Sequence, residues 1–388
     1  MLRLAVIGIG NMGFAHAKCI FSGEISGCVL CAVCDTDPAR LSLAEKAFPG
    51  VASYADAAAL FAAEKPDAVV IATPHPSHTQ LAMQAMQRGI HVLSEKPADI
   101  LYSRVQQACA LAREHNVRYA LMFNQRNHPV FRTLHRFLNS GMIGKIKRVS
   151  WTVTNWYRTQ YYYDSGGWRG TWDGEGGGVL INQAPHNLDM ICMLFGLPLA
   201  VYAQCSEGKY HAIQVEDEAI LHLRYAEFTL VFTASTGECP GTNRMEIACD
   251  YGKVVVENGK IFWTRLPTSE RTLCTEAQEC FPAPQTDTIE VTLSGTDTAH
   301  RGILQNFVHA IQSGEPLIAD GNDGLREIML SNAAYLSSWE GREIALPLQD
   351  DRFEEALRQR MENRQVKTAG QAREKAAGGY ADRWNVQW

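Results

Sequence analysis

The chain has 388 residues, more than one hydrophobic core usually serves, so two domains are expected. Apolar residues make up 46% and charged residues 20%, the balance of an ordinary soluble globular protein rather than a disordered or fibrous one. The formal net charge of -6 offers no basic field to nucleic acid or an anionic membrane, and no apolar run reaches membrane-spanning length.

From the N-terminus, "LRLAVIGIG" reads as a buried strand and "MGFAHAKCIFSG" as the helix after it. "VLCAVCD" is a second strand, followed by the helix "ARLSLAEKAF". "DAVVIAT" is a third strand, Ser77 to Gly89 a helix, and "HVLSEKP" a fourth strand. "SRVQQACALAREHN" and "VRYALMFN" add a helix and a fifth strand. Strands alternating with helices predict a doubly wound parallel sheet, ending near Asn124. "VFRTLHRFLNSG" is helical, and the pattern then changes. "IKRVSWTVTNW", "EDEAILHLRY", "FTLVFTAST" and "NRMEIACDYGKVVVENGKIFWTR" alternate as half-buried strands do. They predict a large, mostly antiparallel, open-faced sheet in an α+β domain over 125–349. "HRGILQNFVHAIQSG" and "DGLREIMLSNAAYLSSWEG" are two late helices within it. A charged tail covers 350–388, left open between a solvated helix, a clasp onto a partner subunit and partial disorder.

The eleven cysteines are scattered through apolar runs, and the N-terminus shows no signal-peptide cleavage pattern. Reduced thiols in a cytoplasm are therefore expected. Cys31 and Cys34 form a C-x-x-C with no second pair or histidine cluster to complete a zinc pattern, so no metal is expected.

"VIGIGNMG" places G-x-G-x-x-G at Gly8, Gly10 and Gly13, with a strand directly before it and a helix opening within it. Gly8 permits the tight turn, Gly10 lets backbone approach a pyrophosphate, and Gly13 lets the helix pack close to the strand. The helix N-terminus at Asn11 and Met12 offers free N–H groups and partial positive charge to phosphates. This makes 1–124 a Rossmann-type dinucleotide domain. Asp35 closes the second strand. A carboxylate there can accept both ribose hydroxyls of NAD and would repel a 2′-phosphate, so NAD is the expected cofactor.

Strands three and four end in "ATPHPSH" and "SEKP", and the C-terminal ends of such strands line the ligand crevice. Lys96 would then point towards the nicotinamide end, where crowding or burial can let a lysine exchange a proton near neutrality. Glu95 either orients Lys96 or touches the nicotinamide ribose. Asn124, Gln125 and Arg126 fall at the expected crevice floor, as contacts for ribose or substrate.

The glycine motif, "ATPHPSH", "SEKP" and "GGGVLINQAPHNLD" together resemble, in order and spacing, the Gfo/Idh/MocA oxidoreductases over about Met1 to Leu348. The resemblance implies hydride transfer between a nicotinamide and a carbon of a sugar, glycoside or cyclitol. It places the loop of Thr73, Pro74, His75 and His78 over the cofactor, and it implies oligomerisation through the open sheet, as homodimer or homotetramer. The family's E-K-P lysine maps onto Lys96, and its D-x-x-x-H motif onto Asn182 and His186. Asn182 is a departure, because an amide cannot take up a proton. Proton transfer is therefore assigned to His186 with Lys96, and substrate positioning to Asn182.

Between Asn155 and Trp172 stand seven Trp or Tyr residues. Flat aromatic faces suit the C–H faces of sugar rings. Trp168 and Arg169 resemble Trp-Arg pairs that lie by the nicotinamide in some family members. Tyr163 and Asp189 complete the expected substrate contacts. Two rivals to a sugar, glycoside or cyclitol dehydrogenase stay open: a glycosidase that retains NAD and oxidises C3 transiently, and a non-enzymatic sensor of cofactor or sugar.

Overall fold

The computed structural model describes residues 1–362. The expected tail therefore lies mostly outside the described residues, apart from a helix at Arg352–Glu362.

One sheet is built from β1 (Leu2–Ile7), β2 (Cys28–Cys34), β3 (Ala52–Tyr54), β4 (Ala68–Ile71), β5 (His91–Ser94) and β6 (Tyr119–Leu121). Its order is β3-β2-β1-β4-β5-β6, and every pair is parallel. β1 and β4 are apolar from end to end in their paired parts because helices between strands leave both faces of such a sheet covered. The chain winds outward from β1 to β3, then restarts on the other side at β4. The strand order thus reverses between β1 and β4, which is where sheets of this kind bind ligands. β3 and the helix Ala57–Glu64 were not expected from the sequence.

The second sheet has nine strands. They are β7 (Ile146–Val153), β8 (Ala200–Glu207), β9 (Glu216–Arg224), β10 (Thr229–Ser235), β11 (Asn243–Cys249), β12 (Gly252–Glu257), β13 (Lys260–Arg265), β14 (Asp287–Glu290) and β15 (Ile344–Ala345). The order is β14-β13-β12-β11-β7-β10-β9-β8-β15, with β7–β10 parallel and the other pairs antiparallel. Alternation along β7 and β11 sends Trp151, Met245 and Ile247 inward, where Trp151 meets Phe232 edge-on at 5.7 Å. Residues of the opposite parity carry charge, such as the Arg148–Glu246 and Arg244–Glu257 pairs.

The chain divides into two compact units. The first holds 1–127, 174–176 and 298–329, and the second holds 128–173, 177–297 and the described residues after 329. The helix Ala299–Gln312, read from sequence as part of 125–349, belongs to the first unit. Its apolar face of Ile303, Leu304, Phe307 and Val308 completes the core formed by Leu4, Val6, Ile20 and Met122.

Candidate active site

In the first unit, the Gly8–Gly13 turn connects β1 to the helix Asn11–Phe21. Gly8 holds φ +87, and a Cβ there would lie 2.6 Å from the Ala72 carbonyl oxygen. A Cβ on Gly13 would lie 1.7 Å from the Gly8 carbonyl oxygen, so only hydrogen fits. Gly10 differs, with nothing within 4 Å of its missing Cβ. Its bare backbone opens onto free space, as close approach by a pyrophosphate requires. Asn11 and Met12 hold the first turn of the helix, where backbone N–H groups lack intrahelical acceptors and suit an anion. Asp35 is fixed by the same turn: Oδ2 accepts the Ile9 N–H at 2.6 Å and Oδ1 the Asp37 N–H at 2.9 Å. Each oxygen keeps a further lone pair for a ribose hydroxyl.

Beyond β6, Asn124–Asn127 form a single 3₁₀ turn. Asn124 Oδ1 and both polar atoms of Gln125 are buried with no hydrogen-bond partner among the described residues. Buried polar groups are normally satisfied, so a bound group that supplies donors and acceptors fits here. Arg126 Nη1 donates to the Ile318 carbonyl and to Asp323 Oδ2, each at 2.8 Å, and this buried pair ties the turn to 318–323.

The β4 loop is also tightly held. His78 is buried, with Nδ1 2.8 Å from the Pro97 carbonyl oxygen and Nε2 2.7 Å from that of Thr73. It joins this loop to the segment after Lys96, while Pro74 stays exposed. Thr73 Oγ1 accepts the Ser77 hydroxyl, and buried His75 approaches the Glu175 carbonyl oxygen at 3.1 Å. Glu95 continues β5, its N–H donating to the Ile71 carbonyl. Its Oε1 pairs with His16 Nε2 at 2.7 Å, and its Oε2 accepts the Lys96 N–H at 3.2 Å. Burial raises the Glu95 pKa, but the His16 bond and the charges of His16, His300 and Lys96 outweigh it and hold the carboxyl well below its usual range. Glu95 thus stands ionised beside half-buried Lys96.

In the second unit, Gly178 leads into the short helix Val179–Asn182, and Pro185 starts the next helix at its first position. A Cβ on Gly178 would sit 1.9 Å from the Glu216 carbonyl oxygen. The Glu216 side chain then fixes the segment: Oε2 accepts the Gly178 N–H and Oε1 the Leu180 N–H, both at 2.9 Å. Tyr335 donates its hydroxyl to Oε1 at 2.7 Å. Burial pushes the Glu216 carboxyl up to about 8, against the pull of those donors. Asn182 and His186 both stay half-buried, on two successive helical pieces rather than one continuous helix.

The aromatic stretch supplies a partner that sequence reading missed. Tyr162 lies on the one-turn helix Gln160–Asp164, and its hydroxyl accepts N–H bonds from Arg169 Nη1, from Asn182 Nδ2 at 3.2 Å and from Gln183 Nε2 at 3.4 Å. Arg169 also spreads over the Tyr162 and Trp168 rings, 4.3 and 4.6 Å from their centroids. Tyr163, the expected substrate contact, is buried instead. Its hydroxyl pairs with Thr236 Oγ1 at 2.9 Å, because neighbouring residues on a helix point about 100° apart. Asp189 is fully buried as well. The only sequence signal for Tyr162 was its membership of the tyrosine triplet.

Comparison with known proteins gives the family. Residues 2–123 match the oxidoreductase family with an NAD-binding Rossmann fold, and residues 131–255 match the GFO/IDH/MocA C-terminal domain. Inositol 2-dehydrogenase of Rhizobium meliloti is 25% identical over 355 residues, covering 89% of this chain and 99% of that one. D-apiose dehydrogenase of Paraburkholderia graminis is 26% identical, covering 88% and 89%. The structure of the WlbA dehydrogenase from Bordetella pertussis, in complex with NADH and UDP-GlcNAcA, superposes with a TM-score of 0.75 at 26% identity, covering 90% and 99%. Levoglucosan dehydrogenase, in complex with NADH, shares the fold at a TM-score of 0.75 and 19% identity. With both of its domains matched in order, the chain belongs to the Gfo/Idh/MocA family and is an NAD-dependent dehydrogenase.

Proposed function

We propose that this chain oxidises a hydroxyl-bearing carbon of a sugar, glycoside or cyclitol, with glycoside C3 as one candidate position. The observation that carries the reading is the cluster at Asn182, where two amides and a guanidinium gather on the Tyr162 hydroxyl beside the Trp168 face. Forked donors and a flat aromatic face are what a ring bearing several hydroxyls needs. Relatives named for inositol and apiose support the same class.

The nicotinamide, when bound, takes up or returns the hydride. The chain's own residues do the rest. Gly10, Asn11, Met12 and Asp35 hold the dinucleotide, with Asn124 and Gln125 as further contacts. Lys96 and His186 form the acid–base set at the reacting hydroxyl, and Asn182 orients that hydroxyl. General acid–base help of this kind is worth on the order of 10²–10⁴-fold. Lys96→Ala and His186→Ala should each keep NAD binding and lose hydride transfer. The direct experiment is a panel of monosaccharides, glycosides and inositols with NAD, read by NADH formation. Turnover of none of them would overturn the reading.

Asn182 favours one second reading, an NAD-retaining glycosidase, since an amide in place of the carboxylate leaves the usual acid–base set incomplete. Release of an aglycone without net NADH would select it. The open face of the nine-stranded sheet is the proposed surface for a homodimer or homotetramer, which light scattering would size.

A further inference from the structure

The aromatic segment that carries Tyr162 leans on the 208–215 loop, which joins β8 to β9 in the same unit. Hydrogen bonds tie the two together at Gln160, Gly170 and Arg158. Gln160 Oε1 accepts the Ala212 N–H at 2.8 Å, and the Gly170 carbonyl accepts the Gln214 N–H at 2.9 Å. His211 Nε2 lies 2.8 Å from the Arg158 carbonyl oxygen, and the His211 ring packs on the Tyr163 ring at 4.9 Å. The bonds at Gln160 and Gly170 use backbone amides, whereas the bond at Arg158 uses a titratable ring. We propose that His211 is a positioning residue of the substrate half: as an imidazolium it pins the aromatic segment, and carbohydrate affinity falls when that proton leaves.

The partners of the ring decide its charge. Nε2 faces a backbone carbonyl, and Nδ1 faces Asp217 Oδ2 at 2.9 Å. Asp217 is fully buried, and its carboxyl oxygens also take the N–H groups of Lys209, Tyr210 and His211. A carboxyl that accepts at every contact acts as the anion, and a buried anion needs a partner charge. A carbonyl and a carboxylate both accept, so both ring nitrogens have to donate, and only the imidazolium donates from both. The neutral ring keeps one bond and turns a lone pair towards the other oxygen. Other charged groups on the surrounding elements are engaged elsewhere. Lys209 Nζ and the Tyr210 hydroxyl both donate to Glu218. The Arg158 guanidinium donates to the Trp156 and Tyr157 carbonyls and lies 5.1 Å from the Tyr162 ring centroid. Asp164 takes the Gln160 amide, and the Tyr163 hydroxyl pairs with Thr236. The His211 side chain is 7% exposed, so water is poorly placed to replace a lost bond.

This inference rests on the dehydrogenase reading and names a determinant of its substrate affinity. The effect runs through the helix Gln160–Asp164. His211 holds the approach to that helix at Arg158 and packs on Tyr163, while Tyr162 on the same turn gathers Asn182, Gln183 and Arg169. Releasing Arg158 therefore loosens the donors offered to a sugar ring. The glycine turn that serves NAD belongs to the other unit, so cofactor affinity should hold.

The test compares wild type with His211→Gln and His211→Ala in the full chain, on a carbohydrate that wild type oxidises. Circular dichroism and NAD titration establish that each is folded. KM for the carbohydrate is measured over about pH 5–9, which spans the usual imidazole titration. Wild-type KM should rise with pH by about tenfold, the scale of one hydrogen bond to a charged group. His211→Gln should show no such rise, and His211→Ala should keep the raised KM throughout, both with smaller changes in kcat and unchanged NAD affinity. A loop that merely braces the segment predicts a raised KM that still climbs with pH as in wild type. The second readout needs no substrate. In NMR of the chain with isotope-labelled histidine, one ring should show both of its N–H protons at neutral pH, and that pair of signals should vanish in His211→Gln. If His211→Ala does not fold, His211→Gln keeps an amide donor for the Arg158 carbonyl and carries the comparison. Absence of that pair of signals, or a rise in KM that persists in His211→Gln, would overturn the proposal and leave the dehydrogenase reading standing. If wild type itself oxidises no carbohydrate in the panel, the dehydrogenase reading fails and the positioning role falls with it, an outcome told apart by the inactive wild type.

Discussion

His16 Nε2 lies 2.7 Å from Glu95 Oε1, joining the first helix of the dinucleotide unit to the residue before Lys96. Both side chains are buried, and His300 approaches the His16 ring at 5.9 Å. An anion so placed has a direct consequence for acid stability. The Glu95 pKa is lower in the folded state than in the unfolded chain, so its contribution is present above the unfolded value of about 4.3. It is lost as pH falls below that, because the unfolded state then binds the extra proton. Denaturant titrations at several pH values should show a steeper acid loss in wild type than in Glu95→Gln. At neutral pH that substitution should cost about 1–3 kcal/mol, the usual result of spoiling a buried hydrogen-bonded partner. Equal acid slopes would refute the assignment.

Gly10 and Gly13 belong to one motif but should fail differently when changed to alanine. A Cβ at Gly13 would penetrate the Gly8 carbonyl oxygen at 1.7 Å, so backbone has to move. Overpacking of this kind costs about 1–3 kcal/mol or more. A Cβ at Gly10 meets nothing within 4 Å, so stability should stay within about 1 kcal/mol of wild type. NAD affinity should nevertheless fall by about tenfold or more, the scale of a single lost contact. Calorimetric melting and NAD titration on the two variants separate the effects. A destabilised Gly10→Ala with normal NAD affinity would contradict the reading of the turn.

Much of this architecture was legible because it rests on local patterns. The glycine turn, the alternating strands and helices, and the switch to period-two runs at β7 each have a short-range cause. What escaped had no local signal. β3 is the three residues "ASY", too short for any periodicity. The face of Ile303, Leu304, Phe307 and Val308 marks a helix in sequence, yet nothing in the sequence says which core it joins. Tyr162 and Tyr163 are chemically identical neighbours, so only the turn of the helix decides which one reaches Asn182. The Arg126–Asp323 pair was not legible either, because the two residues lie 197 positions apart.

Asp35 predicts cofactor choice. Its carboxylate is pinned by the Ile9 and Asp37 N–H groups and cannot swing away from a 2′-phosphate. Wild type should therefore favour NAD over NADP in kcat/KM. Asp35→Asn keeps an acceptor for one of those amides but removes the charge, and should narrow the ratio by about tenfold, equivalent to 1.4 kcal/mol. An unchanged ratio would show that discrimination lies elsewhere.

Glu216 supplies the opposite pH signature to Glu95. In sequence it is only the first charged residue of "EDEAILHLRY", a run that alternates as a half-buried strand does. In the fold it is buried under the segment that leads to Asn182, and burial lifts its carboxyl to about 8. Its folded value therefore exceeds the unfolded value near ~4.3. Between these two the native state holds one proton more than the unfolded chain, so its stability contribution is full below the window and lost as pH rises through 8. The loss can approach about 1.4 kcal/mol per pH unit. Glu216→Gln should flatten this decline and leave the acid loss due to Glu95 unchanged, since the two windows do not overlap. Because Gly178 and Leu180 lose part of their anchor, the same variant should raise KM for the carbohydrate while NAD affinity holds. A variant with wild-type alkaline slope and wild-type KM would show that Glu216 neither titrates in this window nor positions the Asn182 segment.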